Sequence, residues 1–317
     1  MKKYNIDDID IFILTYNRCN YLIQTLTSLF EQTIKINRVF ILDNGSTDET
    51  TKKIKNLNNK KILYKKSHVN KGVQWNFERA IDIAKSRYMM ILHDDDLIHP
   101  TYFEHLLFTL NNFENLNLIC SGMIRSDSPE KLNKYKIKYA PILLKTNVGV
   151  ANLAYSGFPI NFSSSLYLTS RLKNTKIESN KFNKFSDRPL IFKVIGEGNA
   201  VILPGKYLQY RIHTGQDSAI KNQNLEMNLI NLHNRYYEIL CNSSFQTKLT
   251  FYSNFKRYLA IESNQLSLDF NNYLEKTIDV LGISFKEKLF IDFLSFINFW
   301  LIYRLHRYCR ILFGNYS

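Results

Sequence analysis

The chain has 317 residues, 45% of them hydrophobic, and its 42 Lys+Arg against 28 Asp+Glu leave a net charge of +14. That length holds one large domain or two modest ones, with an apolar content ordinary for a globular protein that buries a core. The charge suits anionic partners (nucleotide diphosphates, acidic lipid headgroups or nucleic acid) without choosing among them, and much of the Lys sits among Asn as solvated surface. Cys19, Cys120, Cys241 and Cys309 are scattered, with no Cys-x-x-Cys or Cys/His cluster. This argues against structural zinc and suits a reducing compartment. Residues 1–10 have no apolar signal-peptide core, and no run of about 18 uncharged apolar residues predicts a spanning helix. The expectation is a cytoplasmic protein.

In chain order, Ile9 to Leu14 reads as a strand followed by the polar loop Thr15-Tyr16-Asn17-Arg18. Leu22, Leu26, Leu29 and Phe30 give the helical spacing of Tyr21 to Phe30. Val39 to Leu42 is a second strand running into Asp43-Asn44-Gly45-Ser46-Thr47-Asp48-Glu49, where Ser46 and Glu49 fit a capping box. Ile62 to Tyr64 is a third strand, Trp75 to Lys85 a helix, and Tyr88 to Leu92 a fourth strand. A helix near Tyr102 to Leu110 and a strand at Leu118 to Cys120 follow. This alternation predicts a parallel, doubly wound α/β sheet whose carboxyl ends gather Thr15 to Arg18, Asp43 and Asp94 to Asp96.

Beyond about residue 122 the pattern is less regular. Leu190 to Ile195 reads as a helix behind Asp187-Arg188-Pro189, and Ala200 to Leu203 and Tyr207 to His213 as two strands. Helical spacing dominates from about Asn222 onward.

The sharpest local feature is His93-Asp94-Asp95-Asp96 at the end of the fourth strand. Adjacent carboxylates repel, and burying them is costly without compensation. Alone, such a triplet is most simply a solvated acidic turn. At the carboxyl edge of an α/β sheet it becomes a candidate site for a hard divalent cation, Mg²⁺ or Mn²⁺, that bridges to substrate phosphates. No G-x-G-x-x-G follows the first strand and no P-loop occurs, which weakens dinucleotide and P-loop readings.

Taken together, Thr15-Tyr16-Asn17-Arg18, Leu42-Asp43-Asn44-Gly45-Ser46-Thr47-Asp48, Asn70-Lys71-Gly72 and His93-Asp94-Asp95-Asp96 with Pro100 resemble the inverting family-2 glycosyltransferases of bacterial surface-polysaccharide synthesis. The resemblance covers roughly residues 8 to 215. It implies the Rossmann-like A-type glycosyltransferase fold, with residues 1–121 as a nucleotide-binding half, 122–215 as an acceptor half and 216–317 as a C-terminal helical extension. It further implies that Thr15, Tyr16, Asn17, Arg18 and Asp43 hold the nucleotide base, that Asp94 meets the ribose and that Lys71 and Arg211 meet phosphate. Asp95, Asp96 and His213 would hold Mn²⁺ or Mg²⁺, and Asp187 would be the general base. Two positions depart from the family pattern: His93 stands where many members have an Asp, and Ser186 where many have a Glu. Each role has a plainer alternative. Asp43 also suits turn initiation before Gly45, Asp187 a helix N-cap or first turn, Lys71 an exposed loop and His213 a structural role.

The implied partners are a nucleotide-sugar donor, UDP-linked in the leading reading, and a growing glycan acceptor, lipid-linked in some relatives. Nucleic acid is not expected, because no recognition motif accompanies the charge. The aromatic segment 289–303, interrupted by Asp292, Ser295 and Asn298 and followed by Arg304, Arg307 and Arg310, suits an interfacial helix on anionic lipid. A contact with the catalytic domain or with a second copy in a homo-oligomer is the other reading of that tail. A non-catalytic nucleotide-sugar-binding or scaffold protein of the same fold is the alternative to an enzyme.

Overall fold

A computed structural model describes residues 3–126, 132, 135–155, 160–213 and 224–297. The described elements, in chain order, are β1 (Ile9–Thr15), α1 (Cys19–Phe30), β2 (Val39–Asp43), α2 (Thr50–Asn56), β3 (Ile62–Lys66), α3 (Val73–Ile83), β4 (Tyr88–His93), β5 (Leu97–Ile98), α4 (Tyr102–Asn112), β6 (Leu116–Ser126), β7 (Ile142–Lys145), α5 (Thr146–Tyr155), β8 (Leu166–Leu168), α6 (Thr169–Lys173), α7 (Ser179–Phe182), α8 (Asp187–Ile195), β9 (Asn199–Arg211), α9 (Leu225–Cys241), α10 (Phe245–Leu266) and α11 (Phe270–Leu281). The backbone forms two compact units, Met1–Asn147 with Pro159–Lys221, and Val148–Phe158 with Asn222–Ser317.

The first unit is built on one sheet of order β3-β2-β1-β4-β8-β6-β9-β5, with β7 also paired to β9. The expected parallel arrangement holds for β3, β2, β1 and β4. It ends at β4, where β8 pairs antiparallel and separates β4 from β6. The all-parallel expectation is therefore corrected to a mixed sheet. The three residues of β8 are too short to carry a period-2 signal.

Alternation along β1 explains the core. Ile9, Ile11 and Ile13 pack with Leu22, Leu26 and Leu29 of α1 and with Ile41, Met90 and Leu92. Burying each such side chain contributes about 1.5–3 kcal/mol. The register Thr15↔Asp43 and Leu14↔His93 ends three parallel strands on one level, so the residues after them share one edge.

The two strands expected over 200–213 are one, β9. It pairs parallel with β6, but its register jumps from Ser121↔Leu203 to Gly122↔Lys206, leaving Pro204 and Gly205 as extra residues. Pro204 lacks an N–H and suits a bulge. Gly122 faces that bulge: a Cβ there would lie 2.6 Å from the Pro204 carbonyl oxygen and 2.7 Å from that of Gly205.

The capping box expected of Ser46 and Glu49 is not formed. The Ser46 N–H donates to Asp43 Oδ1 and its Oγ accepts from the Asn17 N–H, while Asp48 accepts from the N–H groups of Thr50 and Cys19. Ser46 is thus drawn into a turn started by Asp43 rather than a helix cap.

The second unit is helical. In it, His233 is fully buried, with Nε2 2.7 Å from Glu262 and Nδ1 3.3 Å from the Tyr155 hydroxyl, inside a cage that includes Tyr236, Tyr258 and Tyr273. A last described helical stretch, 285–297, buries Ile291 and leaves Phe285, Leu289, Phe293 and Phe296 exposed at helical spacing. No described helix is long and apolar enough to cross a membrane. Cys309 and the basic residues Arg304, Arg307 and Arg310 lie outside the described residues.

Candidate active site

The site forms where β1, β2 and β4 end. Asn17 takes up a left-handed conformation (φ 53°), which Asn tolerates. Its Oδ1 accepts from the Thr47 N–H at 2.7 Å, so Asn17 ties the first loop to the second and does not point freely at a ligand. Tyr16 is exposed at the rim. Asp43 is fully buried: Oδ1 accepts from the Ser46 N–H at 2.7 Å and Oδ2 accepts from the Tyr64 hydroxyl. This placement makes the turn-forming role of Asp43 concrete. Gly45 (φ 85°) is required, because a Cβ would lie 2.6 Å from the Val69 carbonyl carbon. Asn44 fastens this loop to Asn70 and Gly72 and accepts from the Lys71 N–H. The Lys71 ammonium sits 4.6 Å from the centre of the Trp75 ring, a cation–π contact.

Asp94, Asp95 and Asp96 are all buried. The Arg18 guanidinium bridges Asp94 Oδ1 at 3.3 Å and Asp95 Oδ2 at 3.0 Å. His213 Nε2 lies 3.0 Å from Asp95 Oδ2, and its ring stacks on Tyr21 at 4.3 Å. Burial pushes the Asp94 carboxyl up to about 6, with Asp95 adding to the rise while Thr15 and Arg18 oppose it. Burial likewise raises Asp96 to about 6, with His93 and Ser163 opposing and the Asp95 charge adding. Asp94 Oδ2 and Asp96 Oδ2 are buried with no hydrogen-bond partner. Carboxylate oxygens that are crowded, desolvated and unpartnered fit a hard divalent cation.

Arg211 is placed differently from the expectation. It is buried, and its Nε donates to the Asp95 carbonyl. Its Nη1 donates to Gln24 Oε1, and its Nη2 donates to the Tyr21 carbonyl and Thr25 Oγ1 at 3.1 Å each. Arg211 thus clamps the acidic loop onto α1 instead of reaching toward a phosphate. Thr25 completes the clamp, its hydroxyl 2.8 Å from the carbonyl oxygens of both Asp94 and Asp96. The sequence reading missed Tyr21, Gln24 and Thr25. Their signal was available as polar atoms at positions i, i+3 and i+4 on the first turns of α1.

Asp187 opens α8, preceded by Ser186, which makes no side-chain cap. Its carboxyl is partly buried. Burial raises its pKa, with Arg188 and then His93 opposing the rise. Asp187 and His93 lie close enough for their charges to interact, and the His93 ring stacks on Phe162 at 5.9 Å.

A model of glycosyl transferase family 2 matches residues 10–168, half of the chain. The chain belongs to this family. A curated relative from Escherichia coli, the UDP-Glc:α-D-GlcNAc-diphosphoundecaprenol β-1,3-glucosyltransferase WfaP, is 28% identical over 161 residues, covering 46% of this chain and 64% of its own. An uncharacterized glycosyltransferase from Haemophilus influenzae is 20% identical over 68% of each chain. The chain spans less than two thirds of WfaP and about a third of an uncharacterized Rickettsia typhi glycosyltransferase that is 29% identical over 111 residues. The structure of Staphylococcus aureus TarS 1–349 in complex with UDP-GlcNAc superimposes with a TM-score of 0.62 at 14% identity, over 86% of this chain and 81% of that one. The chain therefore has the family's A-type fold, with C-terminal helices added.

Proposed function

We propose that this glycosyltransferase is a metal-dependent inverting enzyme that moves a sugar from a UDP-linked donor to a growing bacterial surface glycan. One observation carries the reading. Three buried carboxylates, two of their oxygens without a hydrogen-bond partner, sit at the sheet edge, and burial raises the proton affinity of a fourth, Asp187. WfaP, named for UDP-Glc and a diphosphoundecaprenol acceptor, and TarS, bound to UDP-GlcNAc, support a UDP-sugar donor.

The chemistry then assigns roles. Asp95 and Asp96, with His213, would hold a divalent cation, whose chemistry would be to neutralise charge on a diphosphate leaving group. Arg18, which spans Asp94 and Asp95, is placed to trade a carboxylate for a donor phosphate oxygen. Tyr16 offers an exposed ring for base stacking, with Thr15, Asn17 and Asp43 as the other base-side residues of the first two loops. Asp187 accepts the proton of the acceptor hydroxyl as its oxygen bonds to the anomeric carbon and the bond to the diphosphate breaks. A raised carboxyl pKa brings such a base closer to the working pH. A lipid-linked acceptor accounts for the exposed face of Phe285, Leu289, Phe293 and Phe296. That face and the basic residues after it suit peripheral contact with an anionic membrane.

The test is release of UDP from UDP-glucose and UDP-GlcNAc with Mn²⁺ or EDTA present. Turnover that EDTA abolishes and Mn²⁺ restores is the expected result. Metal-independent turnover overturns the proposal.

A further inference from the structure

We infer that His93 is a nitrogen ligand of the cation, closing a three-donor set with Asp95 and Asp96 that favours borderline transition metals over Mg²⁺; this rests on the metal-dependent reading above. Three observations bear on it. One donor atom from each of His93, Asp95 and Asp96 can be chosen so that all three lie within 4.8 Å of one another. Ligands about 2.1 Å from a shared ion are at most about 4.2 Å apart, so adjustments of about half an ångström suffice. Next, Asp96 Oδ2 is buried with no hydrogen-bond partner, and His93 Nδ1 lies 3.6 Å from it, too far for a hydrogen bond and near enough for both to reach one ion. Finally, the imidazole is held from behind. The His93 backbone N–H donates to Ser163 Oγ at 3.1 Å and its ring stacks on Phe162, while its side chain stays 44% exposed.

His213 belongs to another flank of the same acids, 3.0 Å from Asp95 Oδ2. Among the described residues the donors that lie mutually close enough for one ion are His93, Asp95 and Asp96, so His93 supplies the imidazole. Carboxylate alone suits Mg²⁺ and Mn²⁺, whereas imidazole adds affinity along the series Mn²⁺, Fe²⁺, Co²⁺, Ni²⁺. A site so composed binds Co²⁺ at least tenfold more tightly than Mg²⁺, and His93→Asp narrows that ratio by removing the nitrogen while keeping a ligand.

The experiment is electron spin-echo spectroscopy of Mn²⁺ bound to the full chain, reading ¹⁴N modulation from directly bound imidazole. Wild type, His213→Ala, His93→Asp and the double variant are compared, with circular dichroism to show that each is folded and an Mn²⁺ titration to show occupancy. Nitrogen modulation that persists in His213→Ala and disappears in the double variant is the expected result. Mn²⁺ that binds His213→Ala without nitrogen modulation overturns the assignment of His93 while leaving the metal-dependent reading intact. Wild-type protein that binds no Mn²⁺, alone or with UDP, overturns both.

Discussion

Replacing Asp96 with Asn should stabilise the metal-free protein while removing a ligand it needs. Asp96 is fully buried beside Asp95, and its carboxyl is pushed from an ordinary 3.8 to about 6, chiefly by burial. Between those two values the folded chain holds a proton that the unfolded chain has released. Stability therefore falls as pH rises through that window, and the loss is complete above it. Moving a carboxyl that far corresponds to about 3 kcal/mol at pH 7.5 and about half that at pH 5. Asn has no charge to desolvate, and its carbonyl oxygen can still accept from the Arg211 N–H, a contact of 3.4 Å. Urea unfolding in EDTA at pH 7.5 and pH 5 reads the difference between variant and wild type. The expected outcome is a gain of up to about 3 kcal/mol at pH 7.5 that shrinks by about half at pH 5. A variant less stable than wild type at pH 7.5, or a gain that does not depend on pH, refutes the reasoning.

Asp187→Asn should lower sugar transfer by about 10²-fold or more while leaving UDP affinity, read by calorimetry, within about twofold. Full activity in that variant means the base lies elsewhere. Arg211→Met leaves the Asp95 carbonyl, Gln24 Oε1 and Thr25 Oγ1 without their donor, a loss of about 1–3 kcal/mol in denaturant unfolding. An unchanged midpoint contradicts the clamp. Gly122→Ala pushes a methyl into the β9 bulge at 2.6 Å from the Pro204 carbonyl oxygen. It should destabilise the fold by about 1–3 kcal/mol, read as a lower Tm.

The parallel half of the sheet was legible because its strands alternate with helices that carry clear 3.6-residue spacing. Leu22, Leu26 and Leu29 are read as one face and are buried as one face. The triplet at 94–96 was legible because three acids at a strand end are rare in sequence and costly in structure. What followed β4 was not. β8 has three residues, and the union of Ala200–Leu203 with Tyr207–His213 depends on Gly122 making room some eighty residues away. Local pattern carries no record of such a pairing. Residue types also mislead about where a side chain spends its donors. Arg211 and Asn17 are plausible ligand contacts by type, yet Arg211 clamps the acidic loop and Asn17 staples Thr47. Only the folded arrangement exposes Ser163 and Thr25, which bond to backbone groups of residues 93–96.

The most direct test of the central claim is the thermal shift of wild type and Asp95→Ala against UDP-glucose, UDP-GlcNAc and GDP-mannose, each with Mn²⁺ or EDTA. A ligand at 100 times its Kd adds about 2.7 kcal/mol to the folded state. The account predicts an Mn²⁺-dependent upward shift with a UDP-sugar that is lost in a folded Asp95→Ala. A shift that survives both EDTA and Asp95→Ala contradicts it.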